Sequence, residues 1–346
     1  MKKRNKLSQN QKRRIKAQRT KKLNDTNLIE PDDSQLEEAQ PATVISRFGQ
    51  HADVRTESHE IIRAQIRRNV DSLVTGDRVL FRKVKTDATG IIEAVEPRCS
   101  ALTRPDYYEG IKIVAANIDT IVIITSTEPA FSSQILDRYL IAAEDVEIEP
   151  LIVVTKSDLI NDIKKQHLDE QLQPYQAIGY SIIYASAKNE QGLEAISERI
   201  AHTTSILVGQ SGVGKSSLIN ALIPNAKLVE GEISKNSGLG KHTTTTSKLL
   251  SFPEGGDIID SPGTREFGLW HLKPERVTWC YKEFREYLGQ CKFRDCQHIN
   301  DPGCAIIDAV NQKHIHHQRY ENYVRILESM NEQKNSRHIK QNPSEK

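Results

Sequence analysis

The sequence predicts a multidomain chain: a small N-terminal all-β barrel, a central α/β domain with a parallel sheet, and a C-terminal α-helical section built around cysteines. Three observations predict it. Residues 42–98 show short alternating runs broken by turns, the pattern of a barrel of the oligonucleotide-binding (OB) type. From about residue 100, apolar runs alternate with helical stretches, as in parallel strands joined by crossover helices. Finally, Cys291, Cys296, His298 and Cys304 fall within one short segment. A length of 346 residues accommodates these parts at the usual domain size of roughly 100–200 residues.

The N-terminal segment 1–41 reads as a disordered tail and linker. Residues 2–22 hold 11 of the 48 Lys+Arg and no acid, too polar a block to offset its own ordering entropy. Residues 25–40 are acidic and Gln-rich, with Pro31 within them and Pro41 directly after, a linker composition. The charge of +2 therefore splits into a basic tail and an acidic body, and a basic tail is suited to nucleic-acid phosphates. Order is expected from Ala42, with barrel strands over 42–48, 60–66, 77–84 and 90–95. Arg55, Arg63, Arg67, Arg68, Arg82, Lys83 and Lys85 would give that barrel, residues 42–98, a basic RNA-binding surface.

Residues 99–270 form the α/β part, with strands over 120–125, 151–155, 181–184, 205–209 and 257–260 and a helix over 132–145. Residues 271–333 form the helical part, whose last helix carries Tyr320, Tyr323, Val324, Leu327 and Met330 on one face; residues 334–346 read as a frayed tail. No apolar run approaches the ~20 residues of a membrane span, no secretory signal follows the basic start, and five cysteines make no even disulfide set. These features predict a cytoplasmic protein without membrane contact.

The segment Gly209-Gln210-Ser211-Gly212-Val213-Gly214-Lys215-Ser216-Ser217 follows an apolar strand and opens a helix, the context that a P-loop demands. Glycines let backbone N–H groups wrap phosphates, Lys215 reaches the β and γ oxygens, and Ser216 ligates Mg²⁺. Thr155-Lys156-Ser157-Asp158 ends a strand and fits a guanine reader, because one carboxylate can accept from both guanine N1–H and N2–H₂. Ser186-Ala187-Lys188 fits the companion loop at guanine O6. Asp260-Ser-Pro-Gly263 supplies a carboxylate for Mg²⁺ through water and a γ-phosphate-sensing N–H at Gly263. The glycine-rich stretch before it ends in Thr243–Thr246, from which Thr244 is chosen to complete the Mg²⁺ shell. Neither Thr264 nor Arg265 is the glutamine that positions water in common GTPases, so intrinsic hydrolysis should be slow; His242 is the candidate catalytic residue. The guanine elements precede the phosphate loop in the chain, the reverse of the common order, which marks a circular permutant.

Cys291, Cys296, His298 and Cys304 read Cys-x4-Cys-x-His-x5-Cys, a full tetrahedral set for one structural Zn²⁺. The permuted order, the P-loop, the Gly-Leu-Gly-Lys-His-Thr-Thr-Thr stretch, Asp-Ser-Pro-Gly and the cysteine cluster together resemble the bacterial ribosome small subunit-dependent GTPase A (RsgA) family over about residues 42–330. Thr155, in place of the usual Asn, and Thr264 depart from its pattern. The resemblance implies an OB domain, a permuted GTPase and a zinc domain. It also implies action late in maturation of the 30S subunit, on 16S rRNA and beside other assembly factors, with GTP hydrolysis stimulated by that subunit. A GTP-gated, nonenzymatic RNA-binding switch is the alternative; GTP and GDP are the ligands of either, and a monomer is expected.

Overall fold

The computed structural model describes residues 33–70, 72–106, 110–224, 226, 228, 247–261, 269 and 271–341. The basic residues 2–22, His242, Thr244 and Gly263 lie outside them. Five strands close a barrel: β1 (Gln40–Phe48), β2 (His51–Thr56), β3 (Ile61–Ile66), β4 (Arg78–Lys83) and β5 (Thr89–Val95), in the order β1-β2-β3-β5-β4. β3 and β5 run parallel and the other pairs antiparallel. The inward positions Val44, Ala52, Val54, Ile62, Ala64, Val79, Phe81 and Ile92 form the barrel's core, the alternation expected of a closed sheet.

Two boundaries differ from the sequence reading. Residues 33–41 are ordered rather than disordered: Leu36 is buried against Val84 and Ile91 and bridges Val84. Asp33 meets Arg67 and Arg82. An isolated leucine and one carboxylate thus fasten an otherwise polar linker across the barrel. At the other end, the final helix runs through 334–341, since no helix breaker intervenes before Pro343.

An antiparallel hairpin, β6 (Ala101–Asp106) and β7 (Gly110–Ala116), leads from the barrel into the α/β part. There β8 (Thr120–Ser126), β9 (Glu149–Thr155), β10 (Ser181–Tyr184), β11 (Thr203–Gly209), β12 (Lys248–Ser251) and β13 (Gly256–Asp260) form one sheet, ordered β10-β9-β8-β11-β13-β12. All neighbours are parallel except the edge pair β12/β13. The central strands are apolar on both faces because helices cover both, giving two cores on opposite sides. Helix α1 (Ser133–Asp145) is capped by Ser132, whose side chain accepts from Ile135 N–H. Helix α2 (Asp162–Ala177) is capped in the same way by Asn161, and α3 (Leu193–Ile200) and α4 (Lys215–Leu222) complete the layers.

The C-terminal section comprises α5 (Pro274–Cys280), a 3-10 segment (Lys282–Tyr287), α6 (Ala305–Asn311) and α7 (His317–Gln341). Tyr281, Phe284 and Tyr323 stack and edge-pack in its core at centroid separations of 4.8–5.4 Å. It is bolted to α1 by a buried charge cluster. Arg319 pairs with Asp137, which also accepts from Asn322 Nδ2 at 2.7 Å and Tyr175 OH at 2.8 Å. The same guanidinium pairs with Glu283 at 2.7 Å. Arg285 and Arg276 add ion pairs to Glu144 and Asp145 from the same section, at 2.6 and 2.7 Å.

Candidate nucleotide-binding site and metal centre

The parallel strands β8, β9 and β11 end along one edge of the sheet, where ligands bind in open α/β folds. The chain leaving β11 turns through Gly209, Gly212 and Gly214, with φ of +152°, +82° and +93°. A Cβ at Gly209 would lie 2.4 Å from the Ile124 carbonyl, so that position admits only glycine. Ser216 and Ser217 sit, half-buried, in the first turn of α4. The Lys215 ammonium arches over the loop and donates to the Gly209 and Gln210 carbonyls at 2.7 and 2.6 Å. Ser211 and Gly212 are exposed at the rim, and Val213 is buried against the helix layer.

The two segments expected to read guanine meet this loop. Thr155 Oγ1 donates to the Thr125 carbonyl at 3.1 Å and to that of Val213, so the residue replacing the usual asparagine still fastens the strand end to the phosphate loop. Lys156, in the left-handed region at φ +58°, lays its chain across the loop and donates to the Gly212 and Glu128 carbonyls at 2.7 and 2.6 Å. Ser186, fully buried, donates to Asp158 Oδ1 at 2.6 Å and accepts from Lys188 N–H at 3.2 Å. Ser157 donates to Gln191 Oε1 at 3.0 Å. Gln191 and the side-chain bond from Ser186 to Asp158 were not predicted; a loop glutamine carries no signal in sequence. Thr155, Lys156, Asp158, Ala187, Lys188 and Gly214 line one cleft of about 450 Å³.

Asp260 lies on the strand next to β11. It ends β13, paired in register with Lys248 of β12. Burial pushes its carboxyl up, and the nearby Lys215 ammonium pulls it partly back. A divalent cation would restore the carboxylate fully. Arg55, expected on the RNA face, is turned instead onto the α/β domain, forming two bonds to Asp257 at 2.6 and 2.7 Å. Arg63 pairs with Asp53, and Lys83 with Glu60, so part of the expected basic surface is neutralised within the barrel. Arg68 and Lys85 remain exposed.

The four metal-ligand atoms of Cys291, Cys296, His298 and Cys304 lie within 4.8 Å of one another. His298 Nδ1 is 3.5, 3.5 and 3.4 Å from the three sulfurs, and the Cys291 and Cys304 sulfurs are 3.9 Å apart. A tetrahedral ion with bonds of about 2.3 Å to sulfur and 2.0–2.1 Å to nitrogen requires edges of about 3.8 and 3.6 Å. The residues therefore fit such an ion. Burial holds the His298 imidazole below its usual range, in the neutral form that a ligand needs. Tyr320 OH donates to the His298 and Ile299 carbonyls at 3.0 and 2.9 Å, pinning the ligand loop to α7.

Comparison with known proteins adds the decisive observation. The family model described as RsgA GTPase matches residues 95–270, and the chain is 52% identical over 349 residues to the small ribosomal subunit biogenesis GTPase RsgA of Shewanella oneidensis, covering 98% of this chain and 99% of that one. The chain belongs to the RsgA GTPase family. The RsgA protein of Pectobacterium carotovorum is likewise 52% identical, over 94% of this chain and 95% of its own. A second family model, described as 50S ribosome-binding GTPase, matches residues 204–339.

Among solved structures, YjeQ from Thermotoga maritima superposes with a TM-score of 0.70 at 32% identity, covering 85% of this chain and 99% of that one. YloQ, described as a circularly permuted GTPase, gives 0.68 at 26% identity, over 88% and 99%. The permuted order read from the motifs is thus a property of the family's fold. No helix among the described residues is long and apolar enough to cross a membrane.

Proposed function

We propose that this chain is a GTP phosphohydrolase of late 30S subunit maturation, slow alone and stimulated by the subunit. The supporting observation is the convergence of Thr155, Asp158, Ala187 and Lys188 with Gly214 and Ser217 of the phosphate loop on one cleft, with Asp158 held from behind by the buried Ser186, in a chain whose relatives are named small ribosomal subunit biogenesis GTPases. In this reading Asp158 accepts from guanine N1–H and N2–H₂ while Ser186 fixes the carboxylate's rotamer. Ser157, Ala187 and Lys188 form the base loop around O6. The amides of Gly209–Ser217 and Lys215 hold the phosphates. Mg²⁺ is held by Ser216 and Thr244 and, through water, by Asp260; Gly263 senses the γ-phosphate. His242 orients or deprotonates the attacking water.

The domains are assigned as a barrel that takes in the ordered linker, over 33–98, the permuted GTPase over 99–270 and the zinc-binding section from 271 to the end of α7 at 341. The Cys291, Cys296, His298 and Cys304 set holds one Zn²⁺, which organises the loop before α6 and takes no part in the chemistry. The barrel and the basic tail contact 16S rRNA. The protein acts as a cytoplasmic monomer, and the subunit's response extends to neighbouring assembly factors.

Sedimentation of the full-length chain with purified 30S particles tests the reading. Binding in the presence of a non-hydrolysable GTP analogue should exceed binding with GDP, and equal cosedimentation in both would remove the GTP-gated step from the account.

A further inference from the structure

The barrel is not a detached RNA-binding module. It grips the edge strand β12 at both ends. At the far end, Arg55 bonds Ser251 Oγ at 2.6 Å while pairing with Asp257 of β13. At the near end, Thr75, in the loop between β3 and β4 and only 3% exposed, donates from Oγ1 to the Ser247 carbonyl at 3.0 Å. Ser247 precedes β12 and directly follows Thr243–Thr246 in the sequence. Its own hydroxyl donates to Ser261 Oγ at 2.8 Å, and Ser261, itself buried, is the residue after Asp260. Ser247 therefore links the barrel, through its carbonyl, to Ser261 beside Asp260, through its hydroxyl.

The loop that presents Thr75 is built rigidly. Gly76 N–H donates to the Val44 carbonyl at 2.9 Å, and the Thr75 carbonyl accepts from Ala116 N–H at 3.1 Å. Asn117 Nδ2 donates to the Gly76 carbonyl at 2.9 Å. Gly76 has φ +89°, and a Cβ there would lie 2.2 Å from the Ala116 oxygen, so no other residue lets the loop lie this close to β7. The fully buried Asp77 accepts from Val74 N–H at 2.7 Å and from Arg98 at 2.6 and 2.9 Å. A hydroxyl fixed on this scale positions its partner rather than following it.

The geometry points to Thr75 as a positioning residue for GTP hydrolysis, contributed by the barrel: through Ser247 and Ser261 it sets the start of β12 and the residue after Asp260, and so Asp260 itself. The inference rests on the GTPase reading above. It makes the barrel and the Asp260 carboxylate parts of one mechanical unit, because the rigid β3/β4 loop fixes Ser247. The guanine and P-loop contacts lie on strands β9, β10 and β11 and are not touched by these bonds.

The test compares Thr75→Val and Thr75→Ser with the wild-type full-length chain, measuring GDP affinity, intrinsic GTP turnover and turnover with 30S particles. Thr75→Val keeps the shape and removes the donor. It should lower kcat about tenfold, as expected when reacting groups are misplaced by a fraction of an ångström, leave GDP affinity within about twofold, and be restored by Thr75→Ser. Unchanged kcat would overturn the inference, as would a parallel loss of GDP affinity and melting temperature, which marks a structural role only. If Thr75→Val fails to fold, Ser247→Ala interrupts the second link and should give the same split between kcat and affinity; wild-type kcat in that variant overturns the inference equally. A wild type without any 30S stimulation defeats the functional reading alone, since intrinsic turnover still reports on Thr75.

Discussion

Arg319→Met removes the cation from the cluster joining α1 to the C-terminal section. Arg319 and Asp137 are 3% and 0% exposed and Glu283 is 7% exposed at the side chain, so two carboxylates would be left without their shared cation. Breaking a buried pair in this way costs about 3–5 kcal/mol, far more than the ~0–1 kcal/mol of a surface pair. The faces of Tyr175 and Tyr281, 5.0 and 4.5 Å from the guanidinium, would lose their cation–π contacts as well. A chain of several domains does not unfold in two states, so amide hydrogen exchange is the assay, reporting α1 and α7 separately from the barrel. Protection in α1 and α7 should fall by the equivalent of about 3–5 kcal/mol while the barrel is unchanged. Replacing Arg319, Asp137 and Glu283 by apolar residues together with Asn322→Leu and Tyr175→Phe, which remove the donors that Asp137 accepts from, should recover most of that loss, because the desolvation cost disappears with the charges. A loss below about 1 kcal/mol for Arg319→Met would refute the reasoning and class the cluster with solvated pairs.

Three further outcomes follow from the sites. Asp158→Asn exchanges an acceptor for a donor at the base edge and should move preference from guanine to xanthine nucleotides; equal calorimetric affinity of the wild type for ATP and GTP would contradict the guanine assignment. Metal analysis of protein purified under reducing conditions should find about one zinc per chain, and Cys291→Ala or His298→Ala should loosen the C-terminal section while leaving GTP binding nearly intact; zinc-free protein with a native C-terminal section would contradict it. Deleting residues 1–22 should weaken 30S binding and flatten the plot of log affinity against log salt, whereas an unchanged slope would make the tail a bystander.

The glycine loop after β11, the two strand-end segments that meet it and the Cys3His cluster were legible in the sequence as segments that come together, because the chemistry expected of them imposes residue type and spacing together. Gly209 cannot carry a Cβ, and four ligands must reach one point. Strand β2 was not legible: His51, Asp53 and Arg55 fill its outward positions, so it reads as a polar turn until Ala52, Val54 and Thr56 are seen to face the core. The short edge strand β12 escaped because it has four residues, two of them polar and exposed. Long-range pairings lie beyond any local pattern. Asp137 and Arg319 are 182 residues apart, and Arg55 and Asp257 are 202 apart, so neither the bolted C-terminal section nor the barrel's grip on β12 could be read before the fold was known. The same holds for the withdrawal of Arg55 from the RNA face, since a row of arginines does not disclose which of them meets a carboxylate.

If one cleft reads guanine, holds its phosphates and hydrolyses GTP in response to the small subunit, GTP turnover by the full-length chain should be slow alone, markedly faster with purified 30S particles and unchanged with purified 50S particles. Turnover indifferent to 30S, or raised by 50S instead, would overturn that assignment.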